Sequence, residues 1–231
     1  MLQKLIAMAI GLACLDCYVH AQSAEQVIEG YIQAIGGQVR LDTLRTIFME
    51  GSSEAENGTE VLYRIYRSQG IGLRREVNAA GITAVTILTG EKGWTSDRFE
   101  PGTYHEMPAA QVSSRKYELD CINALVRYKQ YHYTVRLLGT EIINESAAHK
   151  VEMTVSPEQV FIYYIDSKTK LLVREQRLIK GESGPVMIDY GNYQKTPQGY
   201  LLPMYITGRL GIITLSKVEI NRPIDMQLLR P

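Results

Sequence analysis

The 231-residue chain has few of the residues that usually build catalytic and metal sites. It contains three cysteines, four histidines and one tryptophan. It also lacks a Gly-x-Ser-x-Gly nucleophile motif, a phosphate-binding loop and a dinucleotide-binding glycine pattern. His105-Glu106 lacks the second histidine of an HExxH zinc motif and precedes Pro108. We therefore predict no metal site, no cofactor and no enzymatic activity.

The chain also lacks an excess of charge of either sign. Its 25 basic and 25 acidic residues cancel, so there is no basic field that would attract nucleic acid. Cys14 and Cys17 fall within a predicted N-terminal export signal that would be removed, so Cys121 would be the only cysteine of the exported protein. No intramolecular disulfide could then form, and stability would come from packing. Cys121 is predicted to be a small buried hydrophobic residue.

The longest apolar stretch is too short to cross a membrane. Leu5–Leu15 is about half of the ~20 residues that a spanning helix needs. Lys4 precedes this stretch and Val19-His20-Ala21 provides small residues for cleavage, which is typical of a secretory signal. An alternative is lipidation at Cys14, but Gly11 stands where a lipobox has an aliphatic residue. We predict a cleaved signal peptide at residues 1–21 and one domain at residues 22–231.

Most of the mature chain has the pattern of β-strands. In Val160–Ile165 neither face of the strand is polar. The strands of a sheet with one solvent-exposed face should instead alternate apolar and polar residues. Ser23 and Gln26 form a capping box before an amphipathic helix, and one or two helices are predicted between Pro108 and Tyr131, over about Ala110–Arg127. The predicted fold is mainly β (α+β), with a single antiparallel sheet of about 11 strands. A sheet of that size should curl into an incomplete β-barrel lidded by helices and enclose an apolar cavity.

Candidate ligand-binding residues follow from this cavity. They are Tyr63 and Ile65 on an early strand, and Phe161, Tyr163 and Ile165 on the two-sided strand. Trp94 follows the turn Gly90-Glu91-Lys92, and it either fills the end of the core or lies at the cavity mouth.

Several short segments are landmarks of a known fold family. They are Ile32-Gln33-Ala34-Ile35-Gly36-Gly37, Thr89-Gly90-Glu91-Lys92-Gly93-Trp94, Tyr163-Tyr164-Ile165-Asp166 with Leu171-Leu172-Val173, and Asp189-Tyr190 with Leu202-Pro203 and Ile206-Thr207. With these segments, nearly the whole mature chain resembles the LolA/LolB-like outer-membrane lipoprotein-sorting proteins, especially the version of Bacteroidota-type bacteria.

This resemblance implies a monomeric periplasmic carrier that holds the acyl chains of lipoproteins or other lipids for transfer towards the outer membrane. Inner- and outer-membrane transfer proteins would be its partners. The resemblance also implies a basic residue that closes the lid, and Arg67 is the nearest position, although Ser68 stands where the family usually has proline. Two other functions stay open. One is an envelope-stress or regulatory domain that binds a protein partner, and the other is a secreted hydrolase that uses His105, Glu106 or His132.

Overall fold

The computed structural model describes residues 22–97, 99–208 and 211–231. The predicted export signal and Cys14 lie outside these residues. None of the described helices is long and apolar enough to cross a membrane. The helices are α1 (Ala24–Ala34), α2 (Gln38–Leu41) and α3 (Ala109–Ser114), with 3-10 helices at Lys116–Leu119, Ala124–Arg127 and Met226–Leu229. The strands are β1 (Thr46–Glu54), β2 (Glu60–Ser68), β3 (Gly72–Ala79), β4 (Ile82–Thr89), β5 (Gly93–Ser96), β6 (Tyr104–Glu106), β7 (Thr134–Ile143), β8 (Ser146–Ser156), β9 (Gln159–Asp166), β10 (Leu172–Ile179), β11 (Val186–Lys195), β12 (Leu201–Gly208) and β13 (Gly211–Ile220).

The predicted capping box of α1 is confirmed. The Ser23 hydroxyl accepts a hydrogen bond from the Gln26 backbone N–H at 3.3 Å, and the Gln26 side chain accepts one from the Ser23 N–H at 3.0 Å. This pair satisfies donors that a helix N-terminus would otherwise leave free. One stripe of the helix is buried, and its residues are Ala24, Val27, Ile28, Tyr31 and Ile32.

The thirteen strands form one antiparallel sheet in the order β6-β5-β4-β3-β2-β1-β13-β12-β11-β10-β9-β8-β7. Neighbouring strands are consecutive in sequence everywhere except at the centre, where β1 pairs with β13. The sheet is not closed, because β6 and β7 lie at its two edges. The segment 107–133, which connects these edge strands, contains α3 and two of the 3-10 helices.

The predicted strand number is wrong, and the predicted helical region is less regular than its sequence indicates. The strand number is thirteen rather than about 11, and the shortest strand, β6, has too few residues to show an alternating pattern. The helical region predicted over Ala110–Arg127 consists of α3 and two 3-10 helices. The backbones of Asp120 and Asn123 are extended, which interrupts the helical path twice. Their side chains bond to Gln69 and Tyr31, so tertiary contacts override the weak helical pattern.

Contacts across the sheet show that it curls. Arg75 on β3 lies 3.3 Å from the Glu118 carboxylate, and Arg177 on β10 lies 5.0 Å from the centre of the Tyr117 ring. Six interstrand spacings separate β3 from β10, so these strands would be about 29 Å apart in a flat sheet. Because Tyr117 and Glu118 are consecutive residues, the two strands must face each other across the segment 107–133.

Both faces of β9 are buried, as its sequence predicts. Phe161, Tyr163 and Ile165 pack with α1 on the face that we call the inner face, which also packs against the segment 107–133. Ile162 and Tyr164 belong to a smaller apolar cluster on the outer face. The period-2 geometry of a strand thus divides one apolar run between two cores.

Candidate functional site

A cavity of about 380 Å³ lies on the inner face, between the strands and the segment 107–133. Its size falls within the ~300–1,000 Å³ range of pockets that hold small molecules. Eight strands contribute to its wall, together with Tyr31 of α1. Its apolar lining includes Ile47, Met49, Ile65, Ile188, Leu202 and Val218. A wall of this composition favours an apolar ligand.

Strand β11 illustrates how the sequence builds this wall. Val186, Ile188 and Tyr190 alternate along the strand and line the cavity. Met187 and Asp189 point to the opposite face, because successive side chains of a strand alternate. A change at position 188 therefore alters the cavity, whereas the same change at position 187 alters only the outer surface.

One polar group in the wall is a satisfied ion pair. The Arg177 Nε donates to a Glu175 carboxylate oxygen at 2.7 Å, and the Tyr190 hydroxyl donates to the other oxygen at 2.8 Å. Arg177 also lies over the rings of Tyr117 and Phe161, at 5.0 and 5.7 Å from their centres. Burial disfavours the charged arginine, but Glu175 outweighs that effect and raises the Arg177 pKa. Both Glu175 oxygens therefore already accept a hydrogen bond within the wall, so the pair offers a ligand no unpaired carboxylate oxygen.

A second ion pair connects the wall to the segment 107–133. The Glu118 carboxylate accepts hydrogen bonds from Arg115 at 2.7 and 3.2 Å and from Arg75 at 3.3 Å. Burial raises the pKa of Glu118, but the hydrogen bonds from Arg115 and the charges of Arg75, Arg115 and Arg177 outweigh it and lower the pKa to about 2. Glu118 is therefore ionised at neutral pH and binds the segment to β3.

Arg67 differs from these arginines in the contacts of its guanidinium. It lies on β2 between Ile47 of β1 and Leu73 of β3, and it lines the cavity. Within the described ranges, no residue forms a hydrogen bond or ion pair with this guanidinium, and its buried Nε is unsatisfied. Burial lowers the pKa of Arg67. Arginine nevertheless keeps its charge in proteins, so the cavity contains a cation that forms no ion pair with any described carboxylate.

The structure brings most of the predicted binding residues to one face. Ile65, Arg67 and Tyr163 line the cavity. Phe161 and Ile165 lie on the same inner face, within the core beneath α1. Tyr63 also faces inward, and its hydroxyl lies 3.1 Å from that of Ser53.

Trp94 lies apart from these residues. In the register of the sheet it is opposite Ile87, which is opposite Arg74. Arg74 neighbours the inward-facing Arg75 in the same strand, so Arg74, Ile87 and Trp94 are on the outer face. That part of the outer face packs against the C-terminal 3-10 helix, where Arg74 contacts the Leu228 carbonyl.

The residues considered for catalysis are also dispersed. His105 and Glu106 are consecutive on β6, so their side chains point to opposite faces. His105 contacts Asp97 at 2.9 Å, while Glu106 contacts Lys92 at 3.2 Å. In the described part of the chain, no group of three or more His, Cys, Asp or Glu residues is arranged to hold a metal ion.

The cavity also contains residues that the sequence did not indicate. Asp120 and Asn123 lie between two 3-10 helices and line the cavity beside Arg67. Their loop has no regular spacing that would assign them to a face. Cys121 lies between them and is buried, as predicted, and burial raises its thiol pKa to about 12.

No family model and no curated protein matches the chain. Solved structures do match over nearly its whole length. A DUF1329 family protein from Desulfovibrio piger has a TM-score of 0.58 at 10% identity, covering 91% of this chain and 98% of that one. A LolA superfamily protein from Nitrosomonas europaea has a TM-score of 0.56 at 13% identity, with coverages of 91% and 99%. A domain named for outer membrane lipoprotein sorting, from Vibrio parahaemolyticus, has a TM-score of 0.54 at 11% identity, with coverages of 89% and 97%.

Proposed function

From the LolA-like fold that these structures share with the chain, we propose that the protein is a periplasmic carrier of acyl chains. It would hold the chains of lipoproteins or other lipids and pass them towards the outer membrane. The observation that supports this proposal is the apolar cavity between the curled sheet and the segment 107–133. The family resemblance of the sequence supports the periplasmic location and the direction of transfer.

The physical basis of such a carrier is the cost of exposing hydrocarbon to water. Each buried methylene stabilises the complex by about 0.8 kcal/mol, so an acyl chain stays in the cavity until another apolar site is available. Transfer then requires no bound nucleotide or metal in the carrier. It requires a route out of the cavity and a receiver that binds the chain more tightly.

The route out is proposed to open when the segment 107–133 moves, with α1 as the second part of the lid. This segment is held to the sheet by side chains and a few loop hydrogen bonds, such as the 3.1 Å bond from the Gly70 N–H to the Leu119 carbonyl. It adds no strand to the sheet between β6 and β7. Movement of the segment would therefore leave every strand pairing intact.

A disulfide can test this movement with one substitution. The Cys121 sulfur lies 4.0 Å from the carbonyl oxygens of Arg45 and Arg67, which places it against β1 and β2. Ile47 lines the cavity and is opposite Arg67. We expect Ile47→Cys to bind a fluorescent fatty acid when reduced and to take up none once the introduced thiol has formed a disulfide with Cys121. The oxidant-treated wild type is the control, and unchanged uptake by the oxidised variant would exclude the lid.

The carrier function itself is tested by native mass spectrometry of the protein purified from its own cell envelope, followed by extraction of any bound lipid. A matched pair of variants then locates the site. Ile188→Trp fills the cavity and should abolish lipid binding, whereas Met187→Trp changes the outer face of the same strand and should bind as the wild type does. A protein without bound lipid that also fails to take up added lipid would favour the alternative of a regulatory domain with a protein partner.

A further inference from the structure

Three buried polar atoms on one side of the cavity have no hydrogen-bond partner among the described residues. They are the Arg67 Nε, the Asp120 Oδ2 and the Asn123 Oδ1, and all three residues line the same cavity. Among the residues that the structure describes, no other buried side-chain nitrogen or oxygen is unsatisfied. Folded proteins pair the large majority of such atoms. Their concentration at one cavity therefore indicates a polar ligand group.

The two open acceptors are held in place by the other atoms of the same side chains. The Asp120 Oδ1 accepts hydrogen bonds from Gln69 at 2.7 Å and from Tyr131 at 2.8 Å, which leaves Oδ2 free. The Asn123 amide nitrogen donates to the Tyr31 hydroxyl at 2.8 Å, so its carbonyl oxygen is free. These contacts fix the positions of both oxygens before any ligand binds, which reduces the entropy lost on binding.

The charges at this side of the cavity are also incompletely paired. Arg67 has no carboxylate within ion-pair distance among the described residues, and the nearest cation to Asp120 is Arg127 at 3.8 Å. Arg127 is shared, since it also lies 3.9 Å from Asp42. Burial lowers the pKa of Arg67 and raises that of Asp120, which means that each charged form lacks solvation. A ligand with one charge of each sign would compensate both groups.

The number of unsatisfied donors and acceptors restricts the chemical groups that the ligand can carry. Arg67 offers a donor, so the ligand needs an acceptor, and an anionic oxygen suits a guanidinium best. Asp120 and Asn123 offer two acceptors, so the ligand needs two donors. One hydroxyl carries a single O–H, whereas an ammonium group carries three N–H bonds.

We propose that this side of the cavity binds the head of a zwitterionic amphiphile of the phosphoethanolamine type. Its phosphate would contact Arg67 and its ammonium would contact Asp120 and Asn123, while its acyl chain would lie against Ile65, Ile188 and Val218. This inference rests on the proposed carrier function and specifies its ligand.

The first experiment compares the affinities of four amphiphiles that have the same acyl chain and different head groups. The protein is stripped of bound lipid and titrated, below micelle-forming concentrations, with lysophosphatidylethanolamine, lysophosphatidic acid, a long-chain amine and a monoacylglycerol. We expect the zwitterion to bind at least about tenfold more tightly than each of the other three, because each of them lacks one of the two charged groups or both.

Two substitutions assign the contacts. Asp120→Asn keeps the shape but places N–H bonds at the Oδ2 position, so the zwitterion should lose about tenfold in affinity while lysophosphatidic acid does not. Arg67→Met should weaken the zwitterion and lysophosphatidic acid but not the amine. Matched controls are Asp42→Asn, which changes the exposed carboxylate beside Arg127, and Arg64→Met, which changes an exposed arginine of the same strand. If Asp120→Asn does not fold, Asn123→Leu removes the second acceptor and should weaken binding of the zwitterion and the amine but not of lysophosphatidic acid.

The outcomes separate this inference from the carrier function. Tight binding of all four amphiphiles without preference would overturn the inference and leave the carrier function intact. Failure of all four to bind would overturn both. A crystal structure of the complex with lysophosphatidylethanolamine provides a further test. Ordered water at the three atoms, with the lipid head group bound at another place, would also overturn the inference.

Discussion

Glu118 provides the sharpest test of the forces that hold the segment 107–133 to the sheet. Its carboxylate receives hydrogen bonds from Arg115 and Arg75, and its side chain is only 11% exposed. These arginines lower its pKa from 4.5 to about 2. Glu118→Gln keeps the size of the side chain but removes the charge. The variant should therefore be less stable than the wild type at neutral pH.

The size of this effect follows from the pKa. Lowering the pKa from 4.5 to about 2 corresponds to about 3 kcal/mol of unfolding free energy when the group is ionised in both the folded and unfolded states. Because the folded-state pKa is lowered, this contribution is complete above the unfolded pKa of 4.5 and is lost as the pH falls towards 2. At pH 3, less than half of this contribution should remain.

The assay is urea unfolding of the wild type and Glu118→Gln at pH 7, 5 and 3. We expect a difference of about 3 kcal/mol at pH 7 that is unchanged at pH 5 and about halved at pH 3. The control is Glu158→Gln, because Glu158 pairs with Lys180 at 3.2 Å but is 65% exposed. Glu158→Gln should lower the unfolding free energy by less than about 1 kcal/mol. A Glu118→Gln difference that is the same at all three pH values would refute the reasoning.

The register shift in β1 and the buried thiol of Cys121 lead to two more expected results. A side chain at Gly51 would place its Cβ 2.5 Å from the Thr214 backbone oxygen, so Gly51→Ala should lower the unfolding free energy by about 1–3 kcal/mol, measured in urea. A Cβ at Gly90 meets nothing within 4 Å, so Gly90→Ala should change the unfolding free energy by less than about 0.5 kcal/mol. Equal losses of unfolding free energy in the two variants would contradict this argument. Cys121 should not react with Ellman's reagent at pH 8 until urea unfolds the protein, because burial raises its pKa to about 12, and rapid reaction of the native protein would show that the thiol is accessible.

The sequence predicted those parts of the fold that have a local pattern. The Ser23–Gln26 capping box indicated the start of α1, and the apolar run in β9 indicated a strand buried on both faces. Residues without such a pattern could not be assigned. The three residues of β6 are too few to alternate, and the breaks at Asp120 and Asn123 depend on contacts with residues distant in sequence.

The candidate site was predictable only where the alternation of a strand is uninterrupted. Ile65, Arg67 and Tyr163 face the cavity, as counting along β2 and β9 suggests. In β10 a register shift between Leu172 and Arg174 reverses the count. Strict alternation from Leu172 would place Arg174 inside, whereas Glu175 is the residue that faces the cavity. Such a shift depends on strand pairing and has no clear signal in one sequence.

The pairing of β1 with β13 also has a consequence for the order of folding. Every other strand pair joins consecutive strands, so β1 to β6 and β7 to β13 can each form as a meander from local contacts. Only the central pairing brings together residues from near opposite ends of the chain, such as Ile47 and Ile220. Non-local contacts form slowly, because a long loop must first be closed. The wall of the cavity is therefore incomplete until the last strand has been synthesised and has joined the first.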